Sequence, residues 1–237
     1  MTVSPLYEDF RKVLVEKLVG NSMKRLSMEY GTQLKNGKSQ ISNFYRSVVT
    51  EIYNSQRPYF EMNELTTRFV SLNSNGMPRE TINYKSISLV EFVGVEEAAC
   101  FGILPDMIKP HLILTYHRPE NYSSLDFDLK MKQVEIKAVK LWWPDEQQLE
   151  QIKKDVLQVA AISRNLIDTH NKYQSNRVIR VNNLPNQSQS NFFHMRPKGR
   201  DGNSYDSRYF DVYGVKVAKV APYLNANALK RTLCLER

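Results

Sequence analysis

Cysteine is scarce: Cys100 and Cys234 are the only two in 237 residues. That is too few for a disulfide framework and leaves a structural zinc short of ligands, so a reducing compartment is expected. No run of roughly 18 apolar residues exists, which argues against a membrane-spanning helix and against a membrane partner. The opening MTVSPLYEDF lacks the charged-then-apolar plan of a secretory signal, and the expected location is cytoplasmic. Internal repeats and low-complexity linkers are missing as well. One domain over residues 1–237 is therefore the expected organisation.

What the sequence does have is positive charge. Lys and Arg number 33 against 25 Asp and Glu, a formal +8. The excess is concentrated, since residues 192–237 hold nine Lys or Arg and four acids, and so carry +5 of the +8. A balance of this kind favours polyanionic partners, nucleic acid above all, and says nothing of fold.

Hydrophobic periodicity divides the chain by texture. Leu6, Phe10, Val13, Leu14 and Leu18 have helical spacing, with Ser4 as expected N-cap, Pro5 in the first turn and Gly20 as stop. NSMKRLSMEYG reads as a short helix, and Ile41, Phe44, Tyr45, Val48, Val49 and Ile52 mark a third. After Pro58 the pattern turns β-branched. ELTTRFVSL and RETINYKSISLVEFVGV around Asn75-Gly76 suggest a β-hairpin with a longer loop. HLILTYH, KMKQVEIKAVKLWW and RVIRVNNL read as further strands, as does YFDVYGVKVAKV before a helical C-terminal tail. Asp145 and Gln148 stand at capping-box spacing ahead of a long amphipathic helix. The expected class is α+β, a mixed β-sheet with a helical N-terminal layer.

Metal-dependent DNA hydrolysis needs carboxylates converging on an ion and a cation near the attacked phosphate. Asp128 and the EIK of Glu135 to Lys137 have the residue types. On one extended strand, however, seven residues at about 3.3 Å each would hold the carboxylates roughly 23 Å apart. They are expected to be solvent-facing residues of an alternating strand.

A second candidate lies around Glu51, Glu61 and Glu64. The order SVVTEIYN, NELTTRFVSLNSNGMPRET, LWWPDEQQLEQIKKDV and FFHMRPKGRD resembles the MutH family, the mismatch-repair nicking endonuclease and related type II restriction endonucleases acting at GATC. The resemblance spans most of the chain and implies a restriction-endonuclease-like fold. It also implies that Glu51 and Glu64 match glutamates of the family's metal site. Arg57 then falls where the family has its aspartate and Thr66 where it has its lysine. A guanidinium in place of an acidic ligand opposes Mg²⁺, and the chain is closest to the non-catalytic C-terminal DNA-binding domain of the restriction enzymes. No confident metal ligand set remains, and no cofactor is required for binding. A catalytic endonuclease domain or subunit is a possible partner.

Under that resemblance, NFFHMRPKGRD is a strand delivering Arg196 to a DNA cleft, where a guanidinium presents two donors to guanine O6 and N7. Pro197 stiffens the departing loop. Lys198, Arg200 and Arg208, with Lys216 and Lys219 as further candidates, would face phosphates of double-stranded DNA. The bland reading of Arg196 is a surface ion pair with Asp201 or Asp206. Two other functions stay open: an active Mg²⁺-dependent endonuclease using Glu51, Glu61 and Glu64 with a cation such as Arg68, and a basic protein-interaction module.

Overall fold

The computed structural model describes residues 4–35, 39–79, 81–165, 167, 169–174, 177–197 and 205–233. In chain order they form helices α1 (Pro5–Leu18), α2 (Met23–Tyr30) and α3 (Gln40–Gln56), then strand β1 (Thr66–Leu72). Three one-turn helices follow, α4 (Val90–Val93), α5 (Cys100–Ile103) and α6 (Pro105–Ile108), before strand β2 (His111–His117). Next come helix α7 (Phe127–Gln133), strand β3 (Glu135–Trp142) and helix α8 (Glu146–Arg164). The remainder comprises β4 (Thr169–Gln174), β5 (Arg177–Asn182), β6 (Phe193–Pro197), α9 (Ser207–Tyr213), β7 (Val220–Leu224) and α10 (Ala226–Thr232). The class is α+β, and among the described residues no helix is long and apolar enough to cross a membrane.

Contacts divide the chain into two compact units, one of Met1–Glu80, Lys109–Trp143 and Thr232–Arg237, the other of Thr81–Ile108 and Pro144–Arg231. In the first, β1 pairs parallel with β2, and β2 pairs antiparallel with β3. The face of α3 that the periodicity marks is buried at all six of its positions, Ile41, Phe44, Tyr45, Val48, Val49 and Ile52. Phe10, Leu14 and Leu18 of α1 join the same core with Leu112, Leu114, Ile136 and Val139 of the sheet. Burying each such side chain contributes about 1.5–3 kcal/mol. The link between α1 and α2 covers the outer edge of β3: Gly20, at φ 75°, donates its N–H to Ile136, and Met23 donates to Val134. An edge protected in this way does not offer itself to another chain.

Four local expectations are corrected. Ser4 precedes α1 without a side-chain cap bond. The hairpin around Asn75-Gly76 is only a tight turn: Asn73 N–H meets Met77 C=O, one bridge joins Leu72 to Pro78, and Arg79 N–H donates to Ser71 C=O. Pro78 has no N–H to continue a ladder. β1 pairs with β2 instead. KMKQ, read as strand, completes helix α7, whose Asp126 side chain caps Leu129 N–H. YFDVY likewise belongs to α9, closed by the Asp206 cap at its start and by Gly214 at φ 69° at its end. In both places a capping aspartate outweighs the apparent alternation.

In the second unit β6 pairs antiparallel with β7, and residues 82–87 line the other side of β7 through Tyr84 N–H to Pro222 C=O and Ile87 N–H to Val220 C=O. β4 and β5 form a separate antiparallel ribbon. The capping box expected of α8 is present at Asp145 and Gln148. Ile152, Val156 and Val159 of α8 are buried, and so is an acid among them, Asp155. Its carboxylate accepts three backbone N–H groups, from Asn191 at 3.0 Å, Phe192 at 2.6 Å and Phe193 at 2.9 Å. Burial lifts the Asp155 pKa, against the pull of those three donors.

Asp155→Ala leaves three buried donors without an acceptor and is expected to cost about 3 kcal/mol, since one unmade buried bond costs roughly 1–3 kcal/mol. Asp155→Asn keeps one carbonyl oxygen and is expected to lose less. Urea unfolding midpoints at neutral pH, read with the slope of the transition, decide the order.

Candidate nucleic-acid interface

β6 alternates, so Phe193 and Met195 lie on one face and His194 and Arg196 on the other. Phe193 and Met195 are core residues, 1% and 5% exposed. His194 is buried too, and the strand emerges at Arg196 and Pro197, which are exposed. Register places His194 opposite Tyr223 and Arg196 opposite Ala221. The guanidinium of Arg196 then lies diagonally over the Tyr223 ring, its carbon 4.9 Å from the ring centroid.

Two further partners fix that guanidinium. Its Nε donates to His194 Nε2 at 2.6 Å, and Nη2 approaches Gln187 Oε1 at 3.4 Å. Because Nε can only donate, His194 Nε2 must accept, which puts the imidazole proton on Nδ1, 2.5 Å from Asn225 Oδ1. Asn225 Nδ2 donates in turn to the Ser190 carbonyl at 2.9 Å. Burial, and secondarily the Arg196 charge, lowers the His194 pKa. The ring is thus neutral in the arrangement that holds Arg196, and the Nη1 edge of the guanidinium has no hydrogen bond among the described residues.

Arg196 stands at a concavity of about 560 Å³ lined also by Asn182, Asn186, Gln187, Ser188 and His194. Leu184, Met195 and Pro197 line it as well, so its surface is mixed, and its amide, hydroxyl and guanidinium groups are of the kinds that hydrogen-bond base edges. The sequence around it is one-sided. From Thr169 to Arg200 there is no Asp or Glu, while Lys172, Arg177, Arg180, Arg196, Lys198 and Arg200 are all basic. That acid-free stretch was available to sequence inspection, as was Asp155 on an otherwise apolar helix face. Gln187 and Asn225 carried no such signal, because only the fold brings them to Arg196.

The other expected contacts are dispersed. Lys198, Arg200 and Asp201 lie outside the described residues. Asp206 does not pair with Arg196; it is buried and accepts from Ser88 Oγ, Leu89 N–H and Tyr209 N–H. Arg208 sits on α9 with Nη1 2.6 Å from Glu91 Oε1, an exposed pair of little energetic weight that a phosphate can replace. Lys216 and Lys219 precede β7. Lys216 lies over the Tyr205 and Phe210 rings, and Lys219 is exposed beside Val220, the residue opposite Pro197.

In the first unit, Glu51 is exposed on α3. Glu64 closes a turn, accepting from Tyr7 Oη and from Glu61 N–H, both at 2.7 Å. The bond from Tyr7 lowers the Glu64 pKa and pushes Tyr7 up to about 12. Arg57 caps the end of α3 at φ 45°, and Thr66 is buried at the start of β1. Asp128 lies in the first turn of α7 and Glu135 opens β3, so the two do not share one extended strand. Asp128 is bound by Lys24 at 2.7 Å and Lys132 at 2.5 Å, and Glu135 by Lys137. Among the described residues no three His, Cys, Asp or Glu are grouped to hold a metal. Cys100 is buried, which raises its thiol pKa, and Cys234 lies outside the described residues.

No protein-family model matches the chain, and no curated protein matches it.

A histidine whose folded pKa is lowered binds fewer protons folded than unfolded. Its contribution to stability is complete above the ordinary value near 6.5 and is lost as pH falls from there toward the lowered folded value. His194 shares this behaviour with His111, which burial, helped by the Arg68 charge, pushes down to about 3. Stability is expected to fall on acidification from pH 7 to 4.5. His194→Gln and His111→Gln are each expected to flatten that slope in urea titrations repeated across the range.

Proposed function

We propose that the chain is a sequence-specific double-stranded DNA-binding module of the MutH-like, restriction-endonuclease-like type, without cleavage activity of its own. The observation that carries this reading is the clamped guanidinium of exposed Arg196: three partners hold it, and its Nη1 has no hydrogen bond among the described residues. Fixing the side chain in advance lowers the entropy lost on binding. A bidentate contact of the guanidinium to guanine O6 and N7 discriminates by about 1–3 kcal/mol. Lys198 and Arg200, which follow Pro197 in the sequence, neutralise phosphates in this reading, with Lys219, Arg208 and Lys216 as outer contacts. The acid-free run from Thr169 to Arg200 supports the same polyanion.

The arrangement around Glu64 supports the non-catalytic part. A catalytic carboxylate has to be available to a metal, whereas Glu64 already accepts two hydrogen bonds and stands without a matching aspartate at Arg57. Thr66→Lys, the change that would restore the family's lysine, introduces an ammonium at a position 6% exposed, where an unpaired charge is costly. Duplex binding requires no cofactor in this reading. A catalytic endonuclease domain or subunit as partner, and a cytoplasmic location, belong to the same proposal.

Arg196→Ala is expected to reduce the ratio of specific to non-specific affinity by about 10- to 100-fold. Lys198→Ala or Arg200→Ala is expected to weaken all duplexes alike and to lower the salt slope by about one unit. Binding of GATC-containing and GATC-free duplexes over a salt series measures both. Loss of the whole effect, with no duplex bound even at low salt, rejects the proposal.

Cleavage assays on the same duplexes, with and without Mg²⁺, are expected to show no hydrolysis. Robust nicking that disappears in Glu64→Ala would establish the active endonuclease instead. Cutting abolished by Glu135→Ala alone would move the chemistry to β3.

A further inference from the structure

β1 and β2 run parallel and end together at Leu72 and His117. The tight turn after β1 brings Arg79 back along that strand, its N–H bonded to Ser71 C=O. Its guanidinium reaches across to β2, where Nη2 donates to the carbonyl of Arg118 at 3.1 Å. The Arg118 guanidinium lies over the ring of Tyr122, 5.9 Å from its centroid, and Lys130 of α7 places Nζ 5.3 Å from the same centroid. Tyr122 is itself anchored by Gln40, whose Nε2 donates to its hydroxyl at 2.9 Å.

Three cations thus share one small region, and among the described residues none of them has a carboxylate partner. The acids in this part of the fold have other partners: Glu120 accepts from Ser74 Oγ, Asp126 caps α7, Asp128 binds Lys24 and Lys132, and Glu135, opposite His117, binds Lys137. The Nε–H groups of Arg79 and Arg118 are buried and have no acceptor among the described residues. Like charges gathered in one region are stabilised by an oxyanion, which supplies several acceptor oxygens and negative charge together. Arginine pairs also match the geometry of a phosphoryl group better than that of a lone carboxylate shared three ways. The ends of parallel strands are, in addition, a common place for ligands to meet a sheet.

We propose that Arg79, Arg118 and Lys130 form a phosphate-binding site at the carboxyl ends of β1 and β2. The ligand is a phosphoryl oxyanion, either free inorganic phosphate or a phosphodiester of a nucleic acid backbone. The site is independent of Arg196 and its surroundings.

The test is thermal unfolding and calorimetric titration with inorganic phosphate, against chloride at equal ionic strength, together with the salt slope of duplex DNA binding. Wild type is expected to be stabilised by phosphate over chloride. Arg118→Gln and Lys130→Gln are expected to lose about tenfold in phosphate affinity, the scale of one charge-assisted hydrogen bond. Arg118→Lys keeps the charge and is expected to fall between them and wild type. Lys130, partly exposed on a short helix, keeps the test readable where Arg118→Gln is unstable. Phosphate binding with an unchanged DNA slope assigns the site to free phosphate. A slope lowered by about one unit in Lys130→Gln assigns it to the phosphodiester backbone. Phosphate stabilisation equal in all variants, or absent from wild type with an unchanged slope, overturns the site. Failure of wild type to bind duplex DNA removes the function proposed for Arg196 and leaves the phosphate arm to be read on its own.

Discussion

Three backbone N–H groups, those of Asn191, Phe192 and Phe193, converge on the buried carboxylate of Asp155, and the placing of the chain from Ser190 to Pro197 follows from that convergence. A loop entering a strand would otherwise bury these donors without partners, and helix α8 supplies the acceptor from its apolar face. Phe192 and Phe193 are then fixed with their rings in the core. The strand's alternation does the rest, turning His194 and Arg196 toward the opposite face. Packing on one side of β6 therefore determines where a charge stands on the other.

The same logic makes His194 a positioning residue for the Arg196 guanidinium. A buried imidazole beside a guanidinium is tolerable only when neutral, and neutrality gives it one donor and one acceptor. The acceptor faces Arg196 and the donor faces Asn225. Asn225 belongs to the residue run after β7, so the two strands of this small sheet are tied by their polar side chains as well as by their backbone ladder. Restricting Arg196 in this way costs stability through a buried polar chain. In exchange the guanidinium is held in one orientation before anything binds.

Much of the fold was legible in the residues, and for identifiable reasons. The helix over Gln40–Gln56 has apolar residues at every helical return, and each of them is buried. Asp145 and Gln148 announced α8, and the stop at Arg196-Pro197 announced the end of β6. Misreadings arose where two local signals competed. In FDLKMKQ and SRYFDVY the apolar residues fit a strand nearly as well as a short helix, and only the capping aspartates separate the two. Around Asn75-Gly76 the turn itself was correct, but the partner of β1 comes from about forty residues downstream, beyond what local pattern can specify. The site was legible only in its centre. Arg196 stands out by its Arg-Pro step, whereas Gln187, Asn225 and Tyr223 meet it through tertiary structure alone.

Arg57 has both a backbone and an electrostatic consequence at the end of α3. It ends α3 in the left-handed region, a conformation that costs a non-glycine residue about 1–3 kcal/mol unless its surroundings hold it. An aspartate there would tolerate the conformation better, because its short side chain bonds to its own backbone. Helix termination thus supplies no reason for arginine at this position. The guanidinium is a positive charge four and seven residues before Glu61 and Glu64 in the sequence, and such a charge opposes a divalent cation while attracting a phosphate. The non-catalytic, polyanion-binding function proposed above is consistent with a charge of that sign, and the acid-free sequence run through β4, β5 and β6 has the same sign.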